Sequence, residues 1–409
     1  MTGVRPSTFN GSINDSFTVG VTRQGVTENL TVVVNLSTTW PPVTATVDIS
    51  NTGYANGGDL ATAINASLAL NNTVNVIGTR TSPAVTGTIT LDIPAGKTVN
   101  WTATITGSSR TGTTDNVLID LTGPGTLSVS SGTITATGNS GIAIRNSSSG
   151  LISISGSSTI ITSINQGYWE NSGTITLRHD DAKLNVSGGT VQNTSGAGNA
   201  ITIYSTSTHN EAISISGGTI SIGALGSAIM LHGTGSGITI SDGTITSSRT
   251  STGNQRGTIA LHASDIRFTM SGGTVLNKAN DADAVAISAA RSGLTPNVTI
   301  EISGGTVGAM DASNNRTAGR AIIGDGDNFN VTISQAPSST TLITSASAEN
   351  TIYISAERNF TSSLTVSGGR VENTGSGQAI TTNPWGVNST INVNITAPPA
   401  VIEPPYSAP

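Results

Sequence analysis

Four polar residues recur at one position of successive repeats, and their side chains are of types that bind sugars. Arg178, Tyr204, His232 and His262 each follow an apolar segment, three positions after its central isoleucine. Guanidinium, phenol and imidazole groups donate hydrogen bonds to hydroxyls and carboxylates, the polar groups of glycans. If the repeats stack, the four side chains form one outward-facing column and predict a shallow glycan-binding groove.

A simpler interpretation of this column remains open. Solvated strand ends accept any polar residue, and the column is polar along most of its length. It continues through Ser147, Ala290, Asp325, Ser355 and Asn383. A glycosidase needs two carboxylates close together, and no two neighbouring repeats place carboxylates here. The column therefore fits either a solvated strand end or a groove that binds a glycan without cleaving it.

Two further features could contact a ligand. Tyr168 and Trp169 are adjacent in an extended loop, where aromatic rings stack on sugars or cover the edge of the core. Asp325 and Asp327 resemble half of a calcium loop, but no glutamate follows at the far position, and turn formation explains them equally. We expect no cofactor, with calcium at Asp325 and Asp327 as the only candidate.

The composition excludes several classes of protein. Only 10% of the 409 residues are charged, the net charge is −6 and cysteine is absent. Lysine occurs only at positions 97, 183 and 278, so there is no basic stripe for nucleic acid. Thiol catalysis and disulfides are excluded. No apolar window is long enough for a membrane span, and residues 1–12 lack the pattern of a signal peptide.

A short motif organises the chain into repeats. Its serines fall 25 to 33 residues apart. A variable period of this length is typical of solenoid coils rather than of independent domains. The motif occurs as LSVSSGTI (127–134), ISISGSSTI (152–160), LNVSGGTV (184–191), ISISGGTI (213–220), ITISDGTI (238–245), FTMSGGTV (268–275), IEISGGTV (300–307), a degenerate VTISQAPSSTTL (331–342) and LTVSGGRV (364–371).

Apolar residues alternate with polar ones in the motif and in a second segment of each repeat. This period of two predicts short strands with one buried face. Stacked coils then give an all-β fold, a right-handed parallel β-helix of about 10–11 coils. Paired glycines are predicted to form the corner of each coil, with positive φ: Gly188, Gly189, Gly217, Gly218, Gly272, Gly273, Gly304, Gly305, Gly368 and Gly369.

Three regions follow from these patterns. Residues 1–56 contain alternating strands without the repeat, which predict a small antiparallel β module. Residues 57–396 form the β-helix, beginning with a capping helix over 58–70, for which Asp59 is the expected N-cap. Residues 397–409 are rich in proline and predict a tail or linker.

Both the N-terminal segments and the repeats resemble parts of known β-helices. The helix followed by NTVNVIGT, GTITLDIPAGKTVNWTATITG and the Ser-Gly-Gly-Thr coils resembles the entry into pectin-lyase-like β-helices. The coils resemble repeats of bacterial or archaeal cell-surface solenoids of the adhesin or fibre type. The resemblance covers about residues 57–396 and implies an architecture, whereas this superfold carries lyases, hydrolases and inert fibres alike.

We therefore expect a non-enzymatic protein of the cell surface or extracellular space, a stalk or a filament subunit that assembles through its non-repeat ends. Its expected partners are further copies or neighbouring surface-protein subunits, with glycans as another class. Neither nucleic acid nor membrane insertion is expected. One alternative is a polysaccharide lyase or glycosidase with its site in loops 168–183 or 320–328, and another is a non-catalytic glycan-binding protein.

Overall fold

The chain folds as a parallel β-solenoid of about 11 turns, which confirms the predicted fold class. Its right-handed sense stays a prediction. The computed structural model describes residues 13–23 and 26–36, by their backbone alone, and residues 44–108, 116–138, 140–166, 173–195, 198–204, 212–223, 225–250, 257–290, 297–326, 328–356, 359–384, 387–396 and 401–404.

Three ladders of parallel strands run along the solenoid. Strands are numbered in chain order, and each turn contributes one segment to each ladder in the sequence first, second, third. The first ladder contains β3 (Thr44–Asp48), β4 (Thr73–Ile77), β7 (Thr98–Trp101), β10 (Thr126–Val129), β13 (Leu151–Ile154), the first halves of β16 (Lys183–Asn193), β18 (Ile213–Ile222) and β20 (Gly237–Ser247), then β22 (Ile266–Met270), β25 (Val298–Ile302), β28 (Phe329–Ile333), β31 (Thr361–Val366) and β34 (Thr390–Ile395).

The second ladder adjoins the first across the glycine corner. It contains β5 (Thr79–Thr86), β8 (Thr104–Ser108), β11 (Thr133–Ala136), β14 (Ile160–Ser163), the second halves of β16, β18 and β20, then β23 (Thr274–Asn277), β26 (Gly305–Ala309), β29 (Thr341–Ser345), β32 (Arg370–Asn373) and β35 (Val401–Glu403).

The third ladder closes each turn. It contains β6 (Ile89–Leu91), β9 (Asn116–Leu121), β12 (Gly141–Asn146), β15 (Gly173–Leu177), β17 (Asn199–Ile203), β19 (Ile229–Leu231), β21 (Ile259–Leu261), β24 (Val285–Ala290), β27 (Arg320–Asp325), β30 (Asn350–Ala356) and β33 (Gln378–Pro384).

The core is a continuous stack of β-branched and aliphatic side chains between the ladders. Ile213, Ile215 and Ile220 of one turn are at most 1% exposed, whereas Ser214 between them is exposed. Each isoleucine lies beside its counterpart on the next turn, as Ile213 does beside Ile238. The period of two in the sequence is therefore confirmed as the alternation between core and surface.

Only the second of the two glycines at each corner has positive φ, so the prediction of positive φ for both was wrong. Gly218 has a φ of +79°, but Gly217 lies outside that region, and a Cβ at Gly217 would be 2.5 Å from the carbonyl oxygen of Ser187 on the preceding turn. The first glycine is therefore required by close approach of two coils, and the second by its backbone conformation in addition to such an approach. The same division holds at Gly188 and Gly189, Gly272 and Gly273, Gly304 and Gly305, and Gly368 and Gly369.

The solenoid begins earlier than the expected boundary at 57. In the N-terminal region β1 (Ile13–Arg23) and β2 (Val26–Leu36) form the predicted antiparallel pair. The next strand, β3, was expected in the same module but pairs in parallel with β4. Its alternation of small polar and apolar residues suits either arrangement, because pairing direction is not encoded in the period of a strand.

Helix α1 (Gly57–Leu70) is present as predicted, but its N-cap is Asn56 rather than Asp59. The Asn56 Oδ1 accepts from the backbone N–H groups of Gly58 and Asp59, and the Asp59 carboxylate accepts in return from the Asn56 N–H. This reciprocal capping box moves the helix start ahead of Asp59. No helix in the described part of the chain is long and apolar enough to cross a membrane.

The two ends of the solenoid differ in how the core is covered. Leu60, Ile64 and Leu68 of α1 are at most 1% exposed, and beneath the helix Val47 of β3 is 4% exposed. At the other end Ile391 and Ile395 of β34 are only half-buried. Within the predicted proline-rich tail, residues 401–403 form β35 and pair with β32, so the solenoid extends beyond residue 396.

Candidate functional site

The predicted polar column lies at the end of the third ladder and is held in register by the backbone. Arg178 donates its N–H to Asn146, Tyr204 to Leu177, His232 to Ile203 and His262 to Leu231, each at 2.8–2.9 Å. Each donor is the residue that follows a strand, and each acceptor ends the strand of the preceding turn. The four predicted residues are therefore on four consecutive turns, separated by about 4.8 Å per turn.

Within this column Tyr204 and His232 form a stacked pair. Their ring centroids are 5.4 Å apart and the ring planes differ by 13°. Both side chains, like that of Arg178, are partly exposed. Offset stacking fixes the ring orientations, so hydroxyl and imidazole groups are presented at a defined spacing along the solenoid.

His262 does not share this exposure. The sequence placed all four side chains outward, but His262 is only 5% exposed. Parity along a strand decides the face on which a side chain lies, but it does not decide whether that side chain reaches solvent. Of the four predicted ligand-binding residues, Arg178, Tyr204 and His232 are therefore the accessible ones.

An ion pair that the sequence did not indicate extends this surface toward the N-terminal end. Arg145 on β12 donates to Asp120 on β9, from Nε to Oδ1 at 3.1 Å and from Nη2 to Oδ2 at 2.6 Å. Ser147, a member of the column, donates to the same Asp120 Oδ1 at 2.8 Å. Asp120 and Arg145 each directly follow the central isoleucine of their strand, two positions before the column, so aligning the repeats at that position would have found them.

The buried carboxylates of the described residues are each paired with an arginine. Asp120 and Glu372 are the buried carboxylates among the described residues, at 7% and 3% exposed, and both are paired with arginine. Burial raises the pKa of Glu372, but hydrogen bonds from Thr344 and Arg316, with the Arg316 charge, bring the pKa below its usual value. A general acid needs the opposite shift.

Several predicted ligand-binding residues lie outside the described residues. These are Tyr168 and Trp169 of the aromatic loop and Asp327 of the half calcium loop. Asp325 is described, and its Oδ1 accepts a hydrogen bond from Ser355 on the next turn at 2.5 Å. Across the described ranges, no cluster of three or more His, Asp or Glu side chains could hold a metal ion.

Comparisons of the chain with family models, curated proteins and solved structures found no match. The solenoid fold and the geometry of its surface and ends are therefore the basis for assigning a function.

Proposed function

We propose that the chain is a non-enzymatic structural β-solenoid, a stalk or filament subunit of the cell surface or extracellular space that assembles through its ends. The observation that carries this proposal is the contrast between the two ends. Helix α1 covers the core at one end, whereas inward-facing apolar residues of β34 remain half-buried at the other. Uncovered strand edges at the end of a solenoid are sites for pairing with another chain.

The surface chemistry supports an architectural role. Neighbouring turns are joined by repeated contacts between uncharged side chains, such as Asn100 Nδ2 to Asn75 Oδ1 at 3.0 Å and Ser363 Oγ to Asn330 Oδ1 at 2.7 Å. Such contacts stabilise stacked parallel strands without requiring a bound ligand. The resemblance to cell-surface solenoids of the adhesin or fibre type agrees with this role.

The proposal is tested by the state of the purified protein as its concentration rises. We expect the sedimentation coefficient to increase with concentration, and electron microscopy to show rods or filaments with a period near one subunit length. A protein that stays monomeric at all soluble concentrations would contradict the proposal. Screening acidic and neutral polysaccharides for cleavage, with and without calcium, tests the lyase or glycosidase alternative, and turnover would favour it.

A second function, non-catalytic glycan binding, is favoured by one observation, the stacked Tyr204 and His232 beside Arg178. In a glycan array the wild-type protein should then show saturable binding, weakened about tenfold or more by Tyr204→Ala. Asn383→Ala, an exposed residue at the far end of the same column, serves as the control and should bind normally. Equal binding by both variants would rule out this surface.

A further inference from the structure

We infer that the β1–β2 hairpin is the segment that covers the open end of the solenoid, and that it does so in a second copy of the chain. The inference rests on the proposed function, because it names the two surfaces through which subunits assemble. β2 would extend the first ladder of the neighbouring subunit by pairing with its β34. Two features of the molecule, one at each end, lead to this assignment.

The first feature is the outer edge of β34, which has no strand partner among the described residues. Thr390 and Thr396 donate backbone N–H groups to Phe360 and Val366 on the β31 side, each at 3.0 Å. Alternate residues of a parallel strand direct their backbone groups to opposite neighbours. The N–H and C=O groups of Ile391, Val393 and Ile395 therefore point away from β31, toward the position of a further strand.

The same three residues show that apolar surface is left uncovered there. Ile391, Val393 and Ile395 are half-buried, whereas Leu364 and Val366, the partners of Val393 and Ile395 on β31, are 0% exposed. One more strand with three apolar residues at alternate positions would bury them as the rest of the ladder is buried. Its occupant must therefore supply both a strand edge and an apolar stripe.

The second feature is the hairpin, which has both properties. The register pairs Phe17 with Val32 and Val19 with Leu30, and paired positions lie on one face. On β2 this face carries Leu30, Val32, Val34 and Leu36 in succession, and the intervening positions are Thr31, Val33 and Asn35. Within the described strands β1 and β2 pair only with each other, and an isolated hairpin is marginally stable in water.

The hairpin cannot cover the open end of its own chain. Twelve successive strand pairings lead from β3 to β34, a separation of about 58 Å at about 4.8 Å per strand. Leu30 is 14 residues before Thr44, which allows at most about 50 Å of fully extended chain. The acceptor must therefore belong to another molecule.

The hairpin also finds little to cover at its own end. Val47 and Ile49 there are 4% and 0% exposed, because α1 lies over them. A contact between one end of a molecule and the opposite end of the next is heterologous, so it repeats without closing unless the rotation forms a ring. The geometry of one chain thus implies a polar filament with one hairpin at each junction.

Charge substitutions on the two faces of β2 test this arrangement. Val32→Asp should raise the concentration required for assembly at least about tenfold, since a carboxylate would be buried in the junction. The control is Val33→Asp, the same substitution on the opposite face, which should assemble as the wild type does. Val393→Asp places a charge on the apolar surface of β34 that would receive the hairpin, and it should also block assembly. A mixture of Val32→Asp with Val393→Asp should form heterodimers that do not extend, because one intact junction remains.

Site-specific cross-linking tests the same junction with uncharged substitutions. The chain has no cysteine, so single replacements report one contact each. Under mild oxidation Val393→Cys should form a disulfide with at least one of Leu30→Cys, Val32→Cys and Val34→Cys, but not with Thr31→Cys or Val33→Cys. A tag on one partner identifies the mixed product. Equal cross-linking from both faces of β2 would overturn the inference.

The results distinguish a wrong assignment of the hairpin from a wrong structural function. If the wild type forms filaments and Val32→Asp does so at the same concentration, the hairpin assignment is wrong while the structural function stands. If the wild type stays monomeric, both fail together. If Val32→Asp changes the circular dichroism spectrum of the chain, the cysteine series decides, because it leaves the hairpin without a buried charge.

Discussion

Arg316 donates a hydrogen bond from Nε to Oε1 of Glu372, two turns farther along the solenoid, at 2.6 Å. Thr344, on the turn between them, donates to the same oxygen at 2.8 Å, and Arg370 donates to Oε2 at 2.6 Å. Arg370 in turn contacts Glu403 of β35 at 2.6 Å. One buried carboxylate therefore connects three consecutive turns and, through Arg370, the last strand of the second ladder.

Glu372→Gln should weaken the C-terminal turns. Replacing the carboxylate removes charge-assisted hydrogen bonds, and we expect a loss of about 1–3 kcal/mol. Hydrogen exchange of the amides in β29, β32 and β35 measures this loss of stability locally. A local measurement is needed because the turns of a solenoid can unfold separately. Glu301→Gln is the matched control: its pair with Arg267 has side chains 41% and 67% exposed, so a change below about 1 kcal/mol is expected. Equal effects would contradict the bridging role.

Because the pKa of Glu372 is lowered, we expect the stability of the folded chain to depend on pH. The pKa of Glu372 in the folded chain lies below its ordinary value of 4.5, so the unfolded state binds a proton first. The stabilisation is therefore complete above the ordinary value and is lost as the pH falls from there through the folded pKa. Unfolding by denaturant across this acid range should show the loss, and Glu372→Gln should reduce it.

Two other carboxylates also have lowered pKa values, so they contribute to the loss of stability in acid. Hydrogen bonds from Ser50 lower the pKa of Asp48, and hydrogen bonds from Asn315 lower the pKa of Asp311. Asp48 is exposed and Asp311 is partly exposed, and neither contacts Glu372, so part of the acid sensitivity should survive in Glu372→Gln. If the pH profile of Glu372→Gln equals that of the wild type, the Glu372 contribution is excluded.

The second glycine of the corner should be sensitive to substitution for two reasons. Gly218 has a φ of +79°, and a Cβ there would be 2.8 Å from backbone atoms of Gly188 on the preceding turn. Gly96 has a similar φ of +74° with nothing within 4 Å of a Cβ, so Gly96→Ala isolates the conformational cost, about 1 kcal/mol. Gly218→Ala should cost clearly more in thermal unfolding. Equal losses would show that contact between turns is unimportant there.

The capping helix should protect the N-terminal end of the core. Ile64 is 0% exposed, so Ile64→Ala should cost about 2–5 kcal/mol in that region, measured by hydrogen exchange of β4 and β6. Asn56→Ala, which removes the capping box, should cost about 0.5–2 kcal/mol. Thr62→Ala is the control, since Thr62 is exposed on the same helix. Unchanged protection in Ile64→Ala would contradict the capping role.

The sequence predicts much of the fold because a solenoid repeats one local pattern. The alternation around Ile213 and Ile215 identified the buried face, and the spacing of the motif placed Tyr204 and His232 on adjacent turns. Stacking in register converts a position within the repeat directly into a position in space. The candidate site is therefore predictable to the extent that its residues share one position of the repeat.

Other relationships do not follow from a repeat position. The sequence did not indicate that His262 is only 5% exposed, because the parity of a strand position gives the direction of a side chain and not its depth below the surface. It also missed the bridge from Arg316 to Glu372, whose members occupy different elements and meet only when three turns are stacked.

By itself, then, the sequence determined the class of fold, the buried face of each strand and the corner glycines, since all three depend on contacts within a repeat or between equivalent positions. Only the tertiary structure decided where the solenoid begins, that β3 pairs in parallel with β4, and that α1 covers one end while β34 leaves Ile391 and Ile395 half-buried at the other. Pairing direction and end coverage depend on which elements meet in space, and no local period encodes that.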